Sequence, residues 1–243
     1  MNNLRFTIPR CMVSSAVGLI FMSSSLSAYA AELSPHQYAI ERAQVGPYYG
    51  AYLDNSLGQD DLTQNDNSSY NPFIDKELWF CFDAAGTKWI EVGDTVGLIS
   101  GLNRSGHFWA ENYVDSTGTQ AYRETLIDPA DPVPTGDHNF TVGSGASGAW
   151  NVSVDNVTKA VISDFSNDTS ADHVDVGLET SSDQTSFRSG TISYNLQYQD
   201  STATWLYLDN FAAFNSNSLG WVATFNSPTN TTYANPTVVF THS

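Results

Sequence analysis

Apolar and polar residues alternate one by one along most of this sequence. The alternation is clear in Lys88-Trp-Ile-Glu-Val-Gly93 and in Val174-Asp-Val-Gly-Leu-Glu-Thr180, and turn-rich pieces such as Gly143–Gly148 separate segments of this kind. Successive side chains of a strand point to opposite faces of a sheet, so this period predicts strands. Many short strands at regular spacing predict an all-β fold, an antiparallel β-sandwich or jelly roll.

The N-terminus has the layout of a secretory signal peptide over residues 1–30. Two arginines precede a run of mostly apolar or small residues, Met12 to Met22, and Ala28-Tyr-Ala30 offers small residues for cleavage. The run is shorter than the ~20 residues that span a bilayer, which disfavours a retained anchor. We therefore expect a protein that is secreted or periplasmic, with no membrane association after signal removal.

Three further segments follow the predicted signal peptide. Residues 31–45 look like a short leader, and Glu32 to Val45 is the one helix candidate. Residues 46–209 carry the alternating patterns and predict the β-sandwich, a catalytic-like domain. Residues 210–243 are rich in Asn and Thr and end in an apolar stretch, so we expect an added hairpin there.

The chain is strongly acidic, with 9 Lys and Arg against 26 Asp and Glu and a formal net charge of −17. Such a surface repels phosphate groups, which disfavours nucleic acid and anionic membranes as partners. We expect a monomer. The histidines lack the paired spacing of a zinc site, so the sequence predicts no metal and no cofactor. The five histidines are His36, His107, His138, His173 and His242.

Two of the alternating segments each carry a glutamate near a glycine. Alternation places Trp89, Glu91 and Gly93 on one face of their strand, opposite Ile90 and Val92. In the second segment, Glu179 shares a face with a glycine two residues earlier. A glycine inside a strand often marks the close approach of a ligand or another backbone.

A third segment, His107-Phe-Trp-Ala-Glu-Asn-Tyr113, combines aromatic and polar side chains on one face. The residues on that face are His107, Trp109, Glu111 and Tyr113. A binding cleft has this character, so these four and Trp89 are candidate substrate-binding residues. Alternation alone also allows a plainer interpretation, in which the three strands are half-exposed and carry ordinary surface glutamates.

Five segments resemble the neprosin family of glutamic peptidases and, more distantly, the fungal eqolisins. They are Pro47-Tyr-Tyr-Gly-Ala51, Trp89-Ile-Glu-Val-Gly93, Gly106-His-Phe-Trp109, Ala149-Trp150 and Val176-Gly-Leu-Glu-Thr180, and their order along the chain matches the neprosins. The eqolisins carry a glutamine in a place similar to the first glutamate. This sequence departs from the neprosins in having Asp94 after the first segment and Leu178 before the second glutamate.

The resemblance implies a catalytic pair, Glu91 and Glu179, that hydrolyses peptide bonds with an activated water at acidic pH. The implied partner is a protein or peptide substrate. For the pair to work, the two carboxyl groups must meet in one groove, and we expect them on adjacent strands.

Two other functions fit the same fold class. One is a concanavalin-like jelly roll that binds or hydrolyses a polysaccharide, since aromatic rings stack on sugars and paired carboxylates also serve glycoside hydrolysis. The other is a non-catalytic surface protein. The separation of the Glu91 and Glu179 carboxyl groups discriminates between these functions, because opposite faces would favour binding or structural roles.

Overall fold

The computed structural model describes most of the chain beyond the predicted signal peptide. Its described residues are 36–43, 46–58, 61–64, 73–99, 102–130, 135–181, 185–227 and 234–242. Residues 1–30 and part of the 31–45 leader lie outside them. Within the described ranges, no helix is long and apolar enough to cross a membrane.

Strands account for nearly all regular structure in the described ranges. They are β1 (Gln37–Ala43), β2 (Gly50–Leu57), β3 (Leu62–Gln64), β4 (Phe73–Cys81), β5 (Trp89–Ile99), β6 (Leu102–Val114), β7 (Gln120–Ala130), β8 (Gly136–Ser144), β9 (Trp150–Val154), β10 (Val157–Ile162), β11 (His173–Thr180), β12 (Thr185–Phe187), β13 (Ile192–Gln199), β14 (Trp205–Tyr207), β15 (Phe211–Ser216), β16 (Trp221–Asn226) and β17 (Thr237–His242). A 3-10 turn, Ala146–Gly148, leads into β9.

Two large antiparallel sheets form a sandwich. The first sheet has seven strands in the order β15-β1-β11-β4-β5-β6-β7. The second has eight, in the order β10-β9-β8-β2-β13-β17-β16 with β14 beside β13. A two-stranded ribbon, β12-β3, is separate. The predicted all-β antiparallel sandwich is therefore confirmed.

The main core lies between the two sheets, because each contributes the apolar face of its alternating strands. Burying one such side chain contributes roughly 1.5–3 kcal/mol. The core includes Ile74, Leu78, Phe80, Ile90 and Val92 from the first sheet and Leu53, Phe140, Val142, Val152 and Phe240 from the second.

A second, smaller apolar cluster covers the other face of the first sheet, which we call the outer face. All of its buried members come from the first sheet: Tyr38, Ile40, Trp79, Cys81, Trp89, Phe108 and Ala110. Because of this cluster, the strands at the centre of the sheet are buried on both faces, and every residue of β11 is buried. Polar groups among them need partners or must stay neutral.

The helix expected over Glu32–Val45 is wrong where the structure describes it. Gln37–Ala43 form strand β1, which pairs with β11 on one side and with β15 on the other. The segment is rich in helix-forming residues, but two ladders of backbone hydrogen bonds and near-complete burial outweigh local propensity.

The C-terminal segment contributes to both sheets. Strand β15 closes one edge of the first sheet, while β16 and β17 form a hairpin at the edge of the second. Phe225 of β16 packs against Phe211 of β15, with ring centroids 4.6 Å apart. Residues 210–243 are thus joined to the sandwich wherever the structure describes them.

Candidate active site

Three glutamates meet on the outer face of the first sheet. Glu77 lies on β4, Glu91 on β5 and Glu179 on β11, and one carboxylate oxygen of each lies within 4.8 Å of the other two. All three are buried, with exposed fractions of 0%, 5% and 4% in that order. We call them the glutamate cluster.

The pairing register of the strands explains why the three glutamates converge. Glu77 stands opposite Gly93 on one neighbouring strand and Gly177 on the other. Glu91 and Glu179 lie on those same two strands, each displaced by two residue pairs from Glu77 and in opposite directions. Both side chains therefore reach towards Glu77 from its flanks. The expectation that Glu91 and Glu179 occupy adjacent strands is wrong, because β4 runs between them.

Each of the two glycines opposite Glu77 stands where a side chain would not fit. A Cβ atom on Gly93 would lie 2.7 Å from Cα of Glu77, and one on Gly177 would lie 2.6 Å from the backbone oxygen of Ala39. Contacts below 3 Å force the backbone to shift. Gly93 therefore allows β4 and β5 to approach closely beside Glu77, and Gly177 allows β11 and β1 to do the same.

Burial and mutual repulsion keep this site from ionising fully. Burial raises the pKa of Glu77 well above its usual range, and the neighbouring Glu91, Asp75 and Glu179 raise it further. Burial also raises the pKa of Glu91, followed by the effect of Glu179, while a hydrogen bond from Trp79 lowers it. Like charges a few ångströms apart cannot all form cheaply in a poorly solvated site. The cluster therefore holds protons in mildly acidic solution.

Glu179 differs from Glu77 in having hydrogen-bond donors. The hydroxyl of Tyr38 donates to Oε1 of Glu179 over 3.1 Å, and Nδ1 of His36 contacts the same oxygen. Burial raises the pKa of Tyr38 well above its usual range, so this phenol remains a donor. By contrast, neither carboxylate oxygen of Glu77 has a hydrogen-bond partner among the described residues. Hydrogen-bond donors stabilise a carboxylate, and among the described residues Glu179 has such donors where Glu77 has none.

Aromatic side chains line the sheet beside the cluster. Trp89 shares the outer face with Glu91, as alternation predicts, and its ring meets that of Tyr122 at a centroid distance of 5.9 Å. Trp89 Nε1 is buried without a hydrogen-bond partner in the described part of the chain. These aromatic rings limit the solvation of the neighbouring carboxyl groups.

The other four candidate binding residues lie on the opposite face of the same sheet. Alternation correctly groups His107, Trp109, Glu111 and Tyr113, but the β5–β6 register places Trp109 opposite Val92 and Glu111 opposite Ile90. Their side chains therefore face the second sheet, and the structure does not bring them to the glutamate cluster.

Polar partners hold these inner-face residues in place. Glu111 forms an ion pair with Arg123, whose guanidinium lies 5.4 Å from the ring centroid of Trp109. The same guanidinium lies 6.0 Å from the ring of Tyr113. Nδ1 of His107 contacts Oδ1 of Asp94 over 2.8 Å. These contacts give the four residues packing roles.

Glu77 and its neighbour Asp75 are the site residues that the sequence interpretation missed. The signal was present, because Asp75, Glu77 and Trp79 alternate with the inner-face residues of β4. A lysine among those inner-face residues, Lys76, breaks the apolar pattern. Its ammonium nitrogen is fully buried and donates to the backbone oxygens of Ser56 and Ile192, over 3.0 and 2.5 Å.

The three carboxyl groups could also hold a hard cation, since oxygen ligands suit Ca²⁺ and Mg²⁺. A cation would need the carboxyl groups ionised. Burial opposes this at Glu77 and Glu91, whose pKa values are raised well above their usual range. The geometry and the electrostatics therefore favour proton sharing over cation binding.

The fold and the cluster together define an antiparallel β-sandwich with a buried multi-carboxyl site on one sheet. No protein-family model matches the chain, and no curated protein sequence does. Among solved structures, the chain is similar to scytalido-glutamic peptidase bound to a transition state analog inhibitor. The TM-score is 0.57 at 9% identity, over 85% of this chain and 98% of that one.

Two further structures agree with this likeness. Scytalido-glutamic peptidase with a peptide-based transition state analog gives a TM-score of 0.51 at 10% identity. SCP-B, a member of the eqolisin family of peptidases in complex with the tripeptide Ala-Ile-His, gives 0.50 at 10% identity. Each comparison covers 85% of this chain and 98% of the other. At such low identity the likeness concerns the fold, and the resemblance to neprosins remains a prediction.

Proposed function

We propose that this protein is an exported glutamic-type endopeptidase. The observation that carries the proposal is the convergence of Glu91 and Glu179, with Glu77 between them, to within 4.8 Å on the outer face of a buried sheet. Carboxyl groups that share protons can activate a water molecule and stabilise an oxyanion without a metal or a covalent nucleophile. The similarity to solved glutamic peptidase folds supports the same proposal.

In the proposed reaction, Glu179 is the general base. Its Oε1 atom accepts from Tyr38 and contacts His36, and both contacts favour the ionised carboxylate. Glu179 takes a proton from water, and the water oxygen bonds to the scissile carbonyl carbon. The same proton then passes to the leaving nitrogen as the carbon–nitrogen bond breaks, so the step is balanced.

Glu91 is the proposed acid. Its raised pKa keeps the carboxyl protonated in acidic solution, where it donates a hydrogen bond to the substrate carbonyl oxygen and stabilises the developing negative charge.

Glu77 acts in this proposal by controlling the charge of the pair. It is buried, has a raised pKa, and its oxygens have no hydrogen-bond partner among the described residues. A protonated Glu77 is neutral, whereas an ionised Glu77 adds a further repelling charge. The proposed activity is therefore greatest in acid and falls as the cluster loses its shared protons.

A substrate comparison tests the proposal. The purified protein is incubated with denatured casein and, separately, with a soluble β-glucan, over a pH series and with a metal chelator present. We expect new peptide termini from casein in acid, fewer as the pH rises, and no release of reducing sugar. Release of sugar without new peptide termini would instead assign the site to a polysaccharide.

A further inference from the structure

We propose that His107, His138 and Asp155 form a site for a divalent transition-metal ion such as Zn²⁺. One potential ligand atom from each lies within 4.8 Å of those of the other two. His107 belongs to β6 of the first sheet and His138 to β8 of the second, while Asp155 lies in the turn between β9 and β10. An ion held here would link the two sheets at one edge of the sandwich.

The orientation of His107 supports a ligand role. Its Nδ1 atom contacts Oδ1 of Asp94 over 2.8 Å, and the other oxygen of Asp94 accepts from Asn55 over 3.0 Å. With both oxygens of Asp94 engaged as acceptors, Nδ1 of His107 is the nitrogen that donates to Asp94, which leaves Nε2 as the nitrogen that can bind an ion. Metal-binding histidines are held in this way, with the second nitrogen donating to a carboxylate.

His138 offers its ligand atom from the opposing sheet. Its Nδ1 atom contacts Oδ2 of Asp155 over 2.9 Å, and its ring lies 4.6 Å from that of His107, centroid to centroid. Two ligand atoms of one ion lie about as close to each other as Nδ1 and Oδ2 do, so Nδ1 of His138 and Oδ2 of Asp155 can bind the same ion.

Asp155 provides the third ligand and the route for entry. Its Oδ1 atom accepts from the backbone N–H of Asn139 over 3.1 Å, which fixes the side chain in its turn. The side chain of Asp155 is 49% exposed, so an ion reaches the site from solvent and water completes its coordination. Two imidazoles and one carboxylate suit Zn²⁺ and similar ions better than Ca²⁺ or Mg²⁺.

Sequence spacing gives no sign of this site, because the three ligands come from separate strands and a distant turn. The site lies between the sheets, whereas the glutamate cluster occupies the outer face of the first sheet. Its existence is therefore independent of the proposed peptidase function. Protein cleavage should therefore continue when a chelator removes an ion from this site.

Calorimetric titration of the full chain with Zn²⁺ near pH 7.5 tests the proposal, since neutral imidazoles are then available. We expect one ion per chain and, at about 100-fold excess over the dissociation constant, an increase in Tm of roughly 5–10 °C. His138→Gln is the main variant because His138 is only partly buried. Asp155→Asn, at an exposed position, is a second variant that is expected to fold normally.

Both variants should weaken Zn²⁺ binding at least tenfold and lose the increase in Tm. The matched control is His242→Gln, which removes an exposed histidine outside the site and should bind Zn²⁺ as the parent protein does. Absence of binding to the parent protein would overturn the proposal. Unchanged binding by His138→Gln, or loss of binding by His242→Gln, would overturn it equally.

Discussion

Glu91 and Glu179 bring carboxylate oxygens to within 4.8 Å of each other although their strands do not pair. Strand β4 separates β5 from β11, and Glu77 on β4 occupies the space between the two side chains. Gly93, opposite Glu77, allows β4 and β5 to approach closely at this point. The site therefore depends on three strands, and the contribution of each strand can be tested separately.

Glu77→Gln should shift the pH dependence of cleavage without abolishing it. Removing this carboxyl removes a source of repulsion that raises the pKa of its neighbours. We expect the alkaline limb of kcat/KM against pH to move to lower pH, with the rate at the optimum reduced by less than about tenfold. An unchanged profile would exclude Glu77 from the coupled cluster.

Gly93→Ala should damage both the fold and the site. The added Cβ would lie 2.3 Å from the backbone oxygen of Lys76, so β4 and β5 must separate where the glutamates meet. We expect a loss of about 1–3 kcal/mol in the free energy of unfolding, measured by denaturant titration. Gly143→Ala is the matched control, because a Cβ there meets nothing within 4 Å. Equal stability of the two variants would contradict the close packing inferred at Gly93.

Sequence alternation is sufficient to predict which side chains of each strand share a face. It groups Glu91 with Trp89, and it separates Glu179 from Val176 and Leu178, because one face of each strand is buried between the sheets. Strand order and register depend on contacts distant along the chain. For this reason the sequence did not reveal that β4 separates the two glutamates, or that Trp109 faces the second sheet.

Two local features misled the sequence interpretation for identifiable physical reasons. Lys76 sits among apolar neighbours, and its buried ammonium is accommodated only because oxygens of β2 and β13 surround it. Strand β1 has a helix-prone sequence, and its two strand partners are 130 or more residues away. The oxygens around Lys76 and the strand partners of β1 all come from distant parts of the chain, so a local sequence pattern does not reveal them.

Arg42→Ala tests whether β1 is integral to the domain. The guanidinium of Arg42 donates two hydrogen bonds to Asp175 on β11, over 2.7 and 2.5 Å, and both residues are buried. Removing Arg42 leaves a buried carboxylate without its cation, which typically costs about 3–5 kcal/mol. We expect that loss in chemical denaturation, with part of it recovered when Asp175→Asn is added. A loss below about 1 kcal/mol would show that β1 contributes little to stability.

Stability should decrease as the pH rises through the mildly acidic range. Burial raises the pKa of Glu41 to about 7, although the N–H of Phe225 lowers it in part. In the unfolded chain a glutamate titrates near pH ~4.3, so between the two values the folded state alone keeps the proton. The free energy of unfolding therefore falls as the pH rises from about 4.3 to about 7, by roughly 3 kcal/mol at most from this group.

Glu77 and Glu91 add to this trend in the same direction, because their pKa values are also raised. The measurement is urea denaturation across that pH range. Glu41→Gln should flatten the dependence. A protein that gains stability as the pH rises over this interval would contradict these protonation states.

The most direct test compares the rates at which glutamine variants cleave denatured casein at about pH 4. Glu91→Gln and Glu179→Gln remove carboxyl groups from the cluster, while Glu111→Gln removes a buried glutamate on the opposite face of the same sheet. With folding verified for each variant by circular dichroism, we predict that the first two lose activity by at least ~100-fold and that Glu111→Gln retains it. Cleavage at the parental rate by folded Glu91→Gln or Glu179→Gln would contradict the account.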